Sequence, residues 1–305
     1  MKVSLVTTVL NEEKTIGEFL ESVVSQTRKP DEVIIVDGGS TDATLEKIQR
    51  YKPACRQGRD AKIQSFRVEG ASRSVGRNEG IKRATGEIIA LTDAGCIPEK
   101  GWLEEIIKPL ENPKVEVVAG FYRGKARTIF EKCVVPYALV MPDKVNPDNF
   151  LPASRSMALR KKTWQETGGF PQDFPDNEDY VFAQRLQKRG AKIIFCPKAI
   201  VDWLPRSNLK DFFKMIYRFA RGDAQAGLRY PKMATVFLRY LIGLICLISP
   251  IGPIGLMGLL GAYFAFAIGK NYRYVRHPLA FFWLPVLQLT ADLGVMAGVM
   301  VKWWG

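Results

Sequence analysis

Two hydrophobic rhythms alternate along the first two thirds of the chain. Short β-branched runs, beginning with residues 3–10 (VSLVTTVL), have the composition of buried strands. Each is followed by a segment whose apolar residues return every three or four positions, the period of a helix packed on one side. After the first run, Ile16, Phe19, Leu20, Val23 and Val24 share one helical face. A second strand at residues 32–36 leads through a Gly-rich turn to a helix from about Thr41. Residues 61–68 predict a third strand, and SRSVGRNEGIKRAT a helix with Val75, Ile81 and Ala84 on one side. GEIIALTD is the fourth strand, PEKGWLEEIIKPL a helix with Pro98 near its start, and VEVVAGFY the fifth strand. This alternation predicts an α/β fold with a mostly parallel sheet covered on both faces.

Beyond Tyr122 the rhythm weakens. Residues 126–150, with Pro136, Pro142 and Pro147, read as irregular. A strand near residues 156–159 leads into a short helix closed by Gly168 and Gly169. DNEDYVFAQRLQKRG predicts a helix with Val181, Phe182 and Leu186 inward, Asn177 as a cap and Gly190 at its C-terminal end. AKIIFCP and AIVDWL read as two short strands.

From residue 206 the pattern changes character. Leu209, Phe212, Phe213, Ile216, Tyr217 and Phe219 are interleaved with Lys210, Lys214, Arg218 and Arg221. A basic, aromatic, amphipathic helix of this kind suits an anionic membrane interface, and it would also serve to cover a sheet. Residues 241–268 contain no charge. As one helix they would extend about 42 Å, against a hydrocarbon core of about 30 Å, but Pro250 and Pro253 interrupt them. Residues 279–301 form a second apolar run, broken only by Asp292, which at mid-membrane should face other helices. These runs predict C-terminal transmembrane helices, with Trp303 and Trp304 as interfacial anchors. Arg229, Lys232 and Arg239 precede the first run and Lys270, Arg273 and Arg276 follow it. A hairpin turning at residues 249–253 keeps both basic clusters on the cytoplasmic side, as the positive-inside tendency prefers. The expectation is an integral cell-membrane protein with residues 1–205 as a cytoplasmic catalytic domain, 206–235 as an interfacial region and 236–305 embedded.

Composition narrows the chemistry. The 305 residues carry 44 basic and 31 acidic side chains, a formal charge of +13. Such an excess suits nucleic acid, an anionic membrane or a phosphorylated substrate. Much of it lies beside the apolar runs, where lipid headgroups account for it, so no nucleic-acid partner is expected. Five cysteines without a C-x-x-C pair read as reduced thiols. His277 is the only histidine, which excludes histidine triads and His-rich metal sites and leaves acid–base work to carboxylates. The opening segment has about eight apolar-leaning residues before charges intervene, too few for a cleavable leader.

Three polar residues fall at strand ends: Asn11, Asp37 and Asp93. Taken singly, each reads first as a turn or cap residue. Together they lie where a parallel sheet binds ligands, beyond the carboxyl ends of its strands. Gly38-Gly39-Ser40 after Asp37 lets backbone approach an anion, and Ala94-Gly95 after Asp93 leaves room beside it. Carboxylates facing phosphates require a bridging hard cation, which points to a nucleotide diphosphate with Mg2+ or Mn2+.

The same segments resemble family 2 glycosyltransferases. VDGGSTDAT is similar to the family's V-D-x-S-x-D element, GRNEGIKRATGEIIALTDA to its A-R-N-x-G segment and D-x-D strand end, and GGFPQDFPDNEDYVFAQRLQKRG to its G-G-F and E-D helix. The resemblance covers about residues 3–205 and implies a GT-A type, Rossmann-like nucleotide-binding fold with a mixed central sheet. It implies that Thr8, Leu10, Asn11, Glu12 and Asp37 cradle the nucleotide, with Arg77, Asp93 and Ala94 beside it and Arg123 or Arg155 toward the phosphates. Asp93 would hold the cation; Gly95 stands where the family has its second carboxylate, which implies weak metal binding. Asp179, with Glu178 in the catalytic pair, would act as general base in an inverting transfer from a nucleotide-sugar donor to a glycan or lipid-linked acceptor at the bilayer. A polyprenyl-phosphate acceptor, needing no base, and a non-catalytic nucleotide- or polyanion-binding membrane protein are the alternative readings.

Overall fold

Strand β1 (Val3–Val9) pairs in parallel with β2 (Glu32–Asp37) on one side and β4 (Ile88–Leu91) on the other, and β2 carries β3 (Lys62–Arg67). The computed structural model describes residues 1–51, 62–174, 176–228, 230–248 and 252–304. Helix α1 (Ile16–Val24) buries Ile16, Phe19, Leu20 and Val23, while α2 (Thr44–Arg50) and α3 (Arg73–Arg83) complete the parallel crossovers. The first four strands thus form the parallel half that the alternation predicts.

The rest of the sheet brings in antiparallel pairs. Strand β5 (Cys96–Pro98) precedes α4 (Trp102–Ile107), followed by β6 (Val117–Gly124), α5 (Ile129–Ala138) and β7 (Met157–Arg160). Next come α6 (Lys161–Glu166), α7 (Glu178–Lys188) and β8 (Ile193–Trp203). The eight strands lie in the order β3-β2-β1-β4-β7-β6-β8-β5, a mixed sheet. Strand β7 is antiparallel to both β4 and β6, and β5 to β8. Val6, Ile34, Leu91 and Met157 from the sheet pack with Phe170, Phe182 and Leu186 in one buried cluster.

Four local expectations are corrected. Residues 126–150 are not irregular throughout, because α5 forms there behind a capping box: Glu131 N donates to Thr128 Oγ1 (3.1 Å) and the Glu131 carboxylate accepts from Thr128 N (3.3 Å). Pro136 lies two residues before the helix ends, where the lost backbone bond matters least. Pro98 belongs to a short strand rather than a helix start, and α4 begins after Gly101. The two short strands expected near residues 191–204 are one strand, β8, with Pro197 at an exposed position. Asn177 adopts a left-handed conformation (φ 59°) and makes no side-chain capping bond to α7.

The chain divides into two compact units. One is Met1–Arg123 with Pro142–Leu204; the other is Gly124–Met141 with Pro205–Gly305. The second is helical: α5, α8 (Leu209–Gln225), α9 (Tyr230–Ile248), α10 (Gly252–Val275) and α11 (Ala280–Trp304). The apolar face of α8 is not bare: Phe212, Met215, Ile216, Ala220 and Ala224 are buried, and the helix lies against α11. Close approach is possible because α11 presents Gly294 and Gly298 there. A Cβ on Gly294 would stand 3.1 Å from Ile216 Cγ2, and one on Gly298 would stand 2.5 Å from the Tyr217 carbonyl oxygen. Helices α9 and α10 pack together, and the turn expected between them falls at residues 249–251, outside the described residues. Cys55 and the side chains of Trp303 and Trp304 also lie outside them. Among the described helices, Ala280–Val301 is long and apolar enough to cross a membrane. Most of the large exposed apolar side chains, among them Leu244, Ile248, Met257, Phe264 and Phe282, belong to α9, α10 and α11.

Candidate active site

The GRNEG segment lies on α3, and its glycines explain its place. A Cβ on Gly76 would meet Thr8 Cγ2 at 2.6 Å and one on Gly80 would meet Val6 Cγ1 at 2.5 Å, so only glycine lets α3 sit this close to β1. That approach carries Arg77 and Asn78 inward. Asn78 Nδ2 donates to the Phe170 carbonyl (2.8 Å), and its Oδ1 accepts from Phe170 N (2.9 Å) and Trp164 Nε1 (3.0 Å). The Gly168-Gly169-Phe170 turn is pinned by these bonds. Gly169 has φ +73°, and a Cβ there would come within 2.9 Å of Asn78 Oδ1. The two motifs far apart in sequence are therefore one hydrogen-bonded structure ahead of α7.

Arg77 joins the two acidic elements. Its Nη1 donates to Glu178 Oε1 (2.5 Å) and its Nη2 to Asp93 Oδ1 (3.0 Å), and the guanidinium lies 5.5 Å from the Phe170 ring centroid. With a side chain only 4 % exposed, this cation is held by its partners, because an unpaired charge there would be strongly destabilising. Burial opposes its charge, but Glu178, Asp93 and Asp179 together push its pKa up. Glu178 is itself 2 % exposed. Burial, with Asp179 nearby, raises its carboxyl above the usual range despite Arg77, and its Oε2 has no hydrogen-bond partner among the described residues.

Asp93 and Asp179 differ from Glu178 in being accessible. The Asp93 side chain is 39 % exposed. Burial works against its charge, but Arg77, then Arg155 and Arg73, outweigh that and hold its carboxyl below the ordinary value. Asp179, at the start of α7, is half-buried and accepts from Tyr180 N (2.8 Å) and Ser154 N (3.3 Å). The Ser154 hydroxyl stands 3.4 Å from both Asp93 Oδ1 and Asp179 Oδ2. Arg155, beside it, packs 5.0 Å from the Tyr122 ring centroid. Asp93, Arg77, Glu178 and Asp179 are thus one contiguous group, with Ser154 as its bridge.

A second group forms where β1 and β2 end. Val9 is paired with Asp37, and Leu91 with Val6, so Asp93 falls near the level where β1 finishes. Asp37 is fully buried and both its oxygens accept from Ser40: N at 3.1 and 3.2 Å, Oγ at 2.5 Å. Ser40 Oγ accepts from Asn11 N (2.9 Å), and Asn11 Oδ1 from Thr41 N (2.9 Å), with Asn11 left-handed at φ 56°. Glu12 N donates to Thr44 Oγ1 (2.8 Å), and Glu12 Oε2 accepts from Thr15 Oγ1 (2.7 Å). Asp37 and Asn11 therefore brace this rim from within. Leu10 is 54 % exposed on it, Thr8 touches α3 at Gly76, and Ala94 is buried. Arg123 sits apart in the bonding pattern, paired with Glu99 and, at 2.6 Å, with Asp202.

Sequence reasoning passed over Ser154, Arg73 and the locking role of Asn78. A serine outside any motif carries no signal of its own, whereas the R-N pair between two spaced glycines is a signal from which Asn78 could have been found. For a divalent cation the described residues supply no cluster of three acidic, Cys or His ligands. They do supply Asp93 with Ser154 alongside, and open space where a side chain on Gly95 would lie. One carboxylate with phosphate oxygens and water completing the shell fits a hard cation.

The sequence profile of glycosyl transferase family 2 matches residues 4–161, and that of glycosyl transferase family group 2 matches residues 89–296. The chain is 25 % identical over 228 residues to glycosyltransferase AglE of Haloferax volcanii, covering 73 % of each. It is 26 % identical over 236 residues to dolichyl N-acetyl-alpha-D-glucosaminyl phosphate 3-beta-D-2,3-diacetamido-2,3-dideoxy-beta-D-glucuronosyltransferase of Methanococcus voltae, covering 72 % of this chain and 73 % of that one. In fold it resembles a Pyrobaculum calidifontis mannosyltransferase in complex with GDP-Man and Mn2+ (TM-score 0.60, 18 % identity, 99 % of this chain and 87 % of that one). It also resembles S. aureus TarS 1-349 in complex with UDP-GlcNAc (TM-score 0.54, 19 % identity, 100 % and 92 %). The mixed sheet is that of the GT-A fold, and the chain is a glycosyltransferase, a member of glycosyl transferase family 2.

Proposed function

We propose that this glycosyltransferase moves a sugar, with inversion, from a nucleotide-sugar donor to a hydroxyl of a glycan or lipid-linked acceptor at the cytoplasmic membrane face. The observation that carries the reading is the single hydrogen-bonded group in which Asp93, at a strand end, and Asp179, at a helix start, share Ser154 while Arg77 ties Asp93 to Glu178. This juxtaposition supports donor and acceptor functions at one site.

Asp179 is the accessible carboxylate of the pair and takes the proton of the acceptor hydroxyl as it attacks the anomeric carbon. The bond to the nucleotide diphosphate breaks on the opposite face, and the electron pair leaves with the phosphate. Glu178 is buried and fixes Arg77, so it positions rather than reacts. Arg73 and Arg155, whose charges reach Asp93, stabilise the negative charge that grows on the leaving diphosphate. Asp93, with Ser154 beside it, would hold Mg2+ or Mn2+, which when bound neutralises diphosphate charge. Thr8, Leu10, Asn11, Glu12 and Asp37 shape the nucleoside rim, with Leu10 as its exposed apolar contact. The apolar exterior of α9, α10 and α11 supports anchoring in the bilayer.

Calorimetric titration of the detergent-solubilised chain with a panel of UDP- and GDP-sugars, with and without Mn2+, tests the donor. Asp179→Asn is expected to keep donor affinity and lower turnover about 10²- to 10⁴-fold. A folded sample that binds none of the panel would refute the reading, and full activity of the Asn variant would refute the hydroxyl-attack mechanism in favour of an acceptor phosphate.

A further inference from the structure

Three parallel strands end level with one another: Val9 of β1 is paired with Asp37 of β2, and Asp37 with Arg67 of β3. The residues that follow, Leu10, Gly38-Gly39 and Glu69, therefore come together beyond the carboxyl edge of the sheet, where such sheets take ligands. Backbone bonds hold them there. Gly38 N donates to the Val9 carbonyl (2.9 Å), Val68 N to the Asp37 carbonyl (2.8 Å) and Gly70 N to the Gly38 carbonyl (3.1 Å). Their surface is a bare shelf. A Cβ on Gly38 would lie 3.9 Å from Leu10 Cδ1, and Leu10 is 54 % exposed. A Cβ on Gly39, whose φ of +99° already favours glycine, would fall 2.7 Å from Glu69 Oε1. The two glycines thus carry no side chain between an exposed leucine and a carboxylate.

Two acids stand at this edge, and only one is open to a ligand. Asp37 is 0 % exposed and Ser40 occupies both its oxygens, so it is sealed beneath the shelf. The Glu69 side chain is 74 % exposed. Among the described residues its one bond is to Arg67, whose Nε donates to Glu69 Oε2 (2.8 Å). Glu69 Oε1 and the terminal nitrogens of Arg67 are left open, an acceptor beside donors. That pairing is the complement of a ring N–H next to a carbonyl, the edge that uracil, thymine and guanine share. Adenine and cytosine put an unprotonated ring nitrogen where that N–H would be, and its lone pair is repelled by a carboxylate.

We propose that Glu69, held by Arg67, selects the base of the donor, taking a nucleoside diphosphate of uracil, thymine or guanine and rejecting those of cytosine and adenine. The base lies on Gly38-Gly39 against Leu10, Glu69 Oε1 accepts its ring N–H, and Arg67 donates to the neighbouring carbonyl. The inference rests on the donor site proposed above and goes beyond it in moving base selection from Asp37 to Glu69.

The test titrates the intact chain in nonionic detergent with UDP, dTDP, GDP, CDP and ADP in the presence of Mn2+, read by calorimetry. Wild type is expected to bind UDP, dTDP or GDP about tenfold or more tightly than CDP and ADP, and the separate arms tell the three bases apart. Glu69→Gln, whose amide donates as well as accepts, should weaken the preferred nucleotide about five- to tenfold and remove most of its advantage over CDP. The side chain is exposed, so the variant should keep the wild-type Tm. Because the preference is a ratio within one sample, partial loss of folded protein leaves the decision unchanged. A wild type that favours CDP or ADP, or shows no preference, would overturn the proposal, as would a Glu69→Gln variant with unaltered affinity and preference. The two readings fail differently. Binding of none of the nucleotides removes the donor site and this inference with it, whereas binding whose base preference survives Glu69→Gln removes this inference alone.

Discussion

Gly95 occupies a position where a side chain would meet nothing within 4 Å, and its backbone is not in the left-handed region. Nothing in the fold therefore forbids the second carboxylate that family 2 places there. Gly95→Asp is expected to fold normally and to tighten Mn2+-dependent donor binding by on the order of tenfold, read by titration with and without the ion. Unchanged metal dependence would show that Asp93 is not the cation's ligand. Asp93 also carries a pH signature. Its carboxyl is depressed in the folded chain, so the unfolded chain takes up the proton first as pH falls. Its contribution to stability is whole above about pH 4 and drains away from there through the depressed folded value. The Tm difference between wild type and Asp93→Asn should shrink as pH is lowered from 6 to 3, and a difference independent of pH would contradict the Arg77 pairing. Much of this residue-scale picture was legible in advance: Asp93, Asp179 and Arg77 stand out by their neighbours in sequence. What was not legible is how Glu178 and Asp179 divide their roles. They are adjacent, yet helix geometry turns one into the core beside Arg77 and leaves the other half-exposed beside Ser154.

Elements with a strong period were readable and those with proline were not. Strands β1, β2 and β4 and helices α1, α3 and α7 follow from apolar spacing because each buries its apolar residues: β1, β2, β4, α3 and α7 share one core cluster, and α1 buries Ile16, Phe19, Leu20 and Val23. Helix α5 was hidden because Pro136 reads as a breaker, although the T-x-x-E signature of its capping box was present at Thr128 and Glu131. Helix α8 was legible as amphipathic, but the sequence does not say what its apolar face touches. The answer lies in α11, where Gly294 and Gly298 stand one turn apart and admit another helix. Gly298→Leu would force a side chain against the Tyr217 carbonyl and Ala220, and it should destabilise the helical unit by about 1–3 kcal/mol. Thermal unfolding in detergent reads this, and an unchanged Tm would mean that α8 and α11 do not rely on this contact.

At the scale of the whole molecule, pattern reading expects a boundary after residue 205, and one of the boundaries between the compact units lies between Leu204 and Pro205. It does not reveal that residues 124–141 pack with the C-terminal helices, since that depends on contacts between segments far apart in sequence. Phe130 meets Trp283 edge to face, with ring centroids 5.0 Å apart, and the Tyr137 hydroxyl donates to the Leu284 carbonyl (3.2 Å). A chain cut after residue 205 keeps α5 but loses the helices α10 and α11 that it packs against. Such a fragment should aggregate unless residues 124–141 are replaced by a short polar linker, with the two forms compared by size-exclusion chromatography. A monodisperse unmodified fragment would contradict this. The same arrangement sets an order of events on the ribosome: α5 is synthesised long before its partners and must be shielded, by a chaperone or the bilayer, until the last helix has emerged.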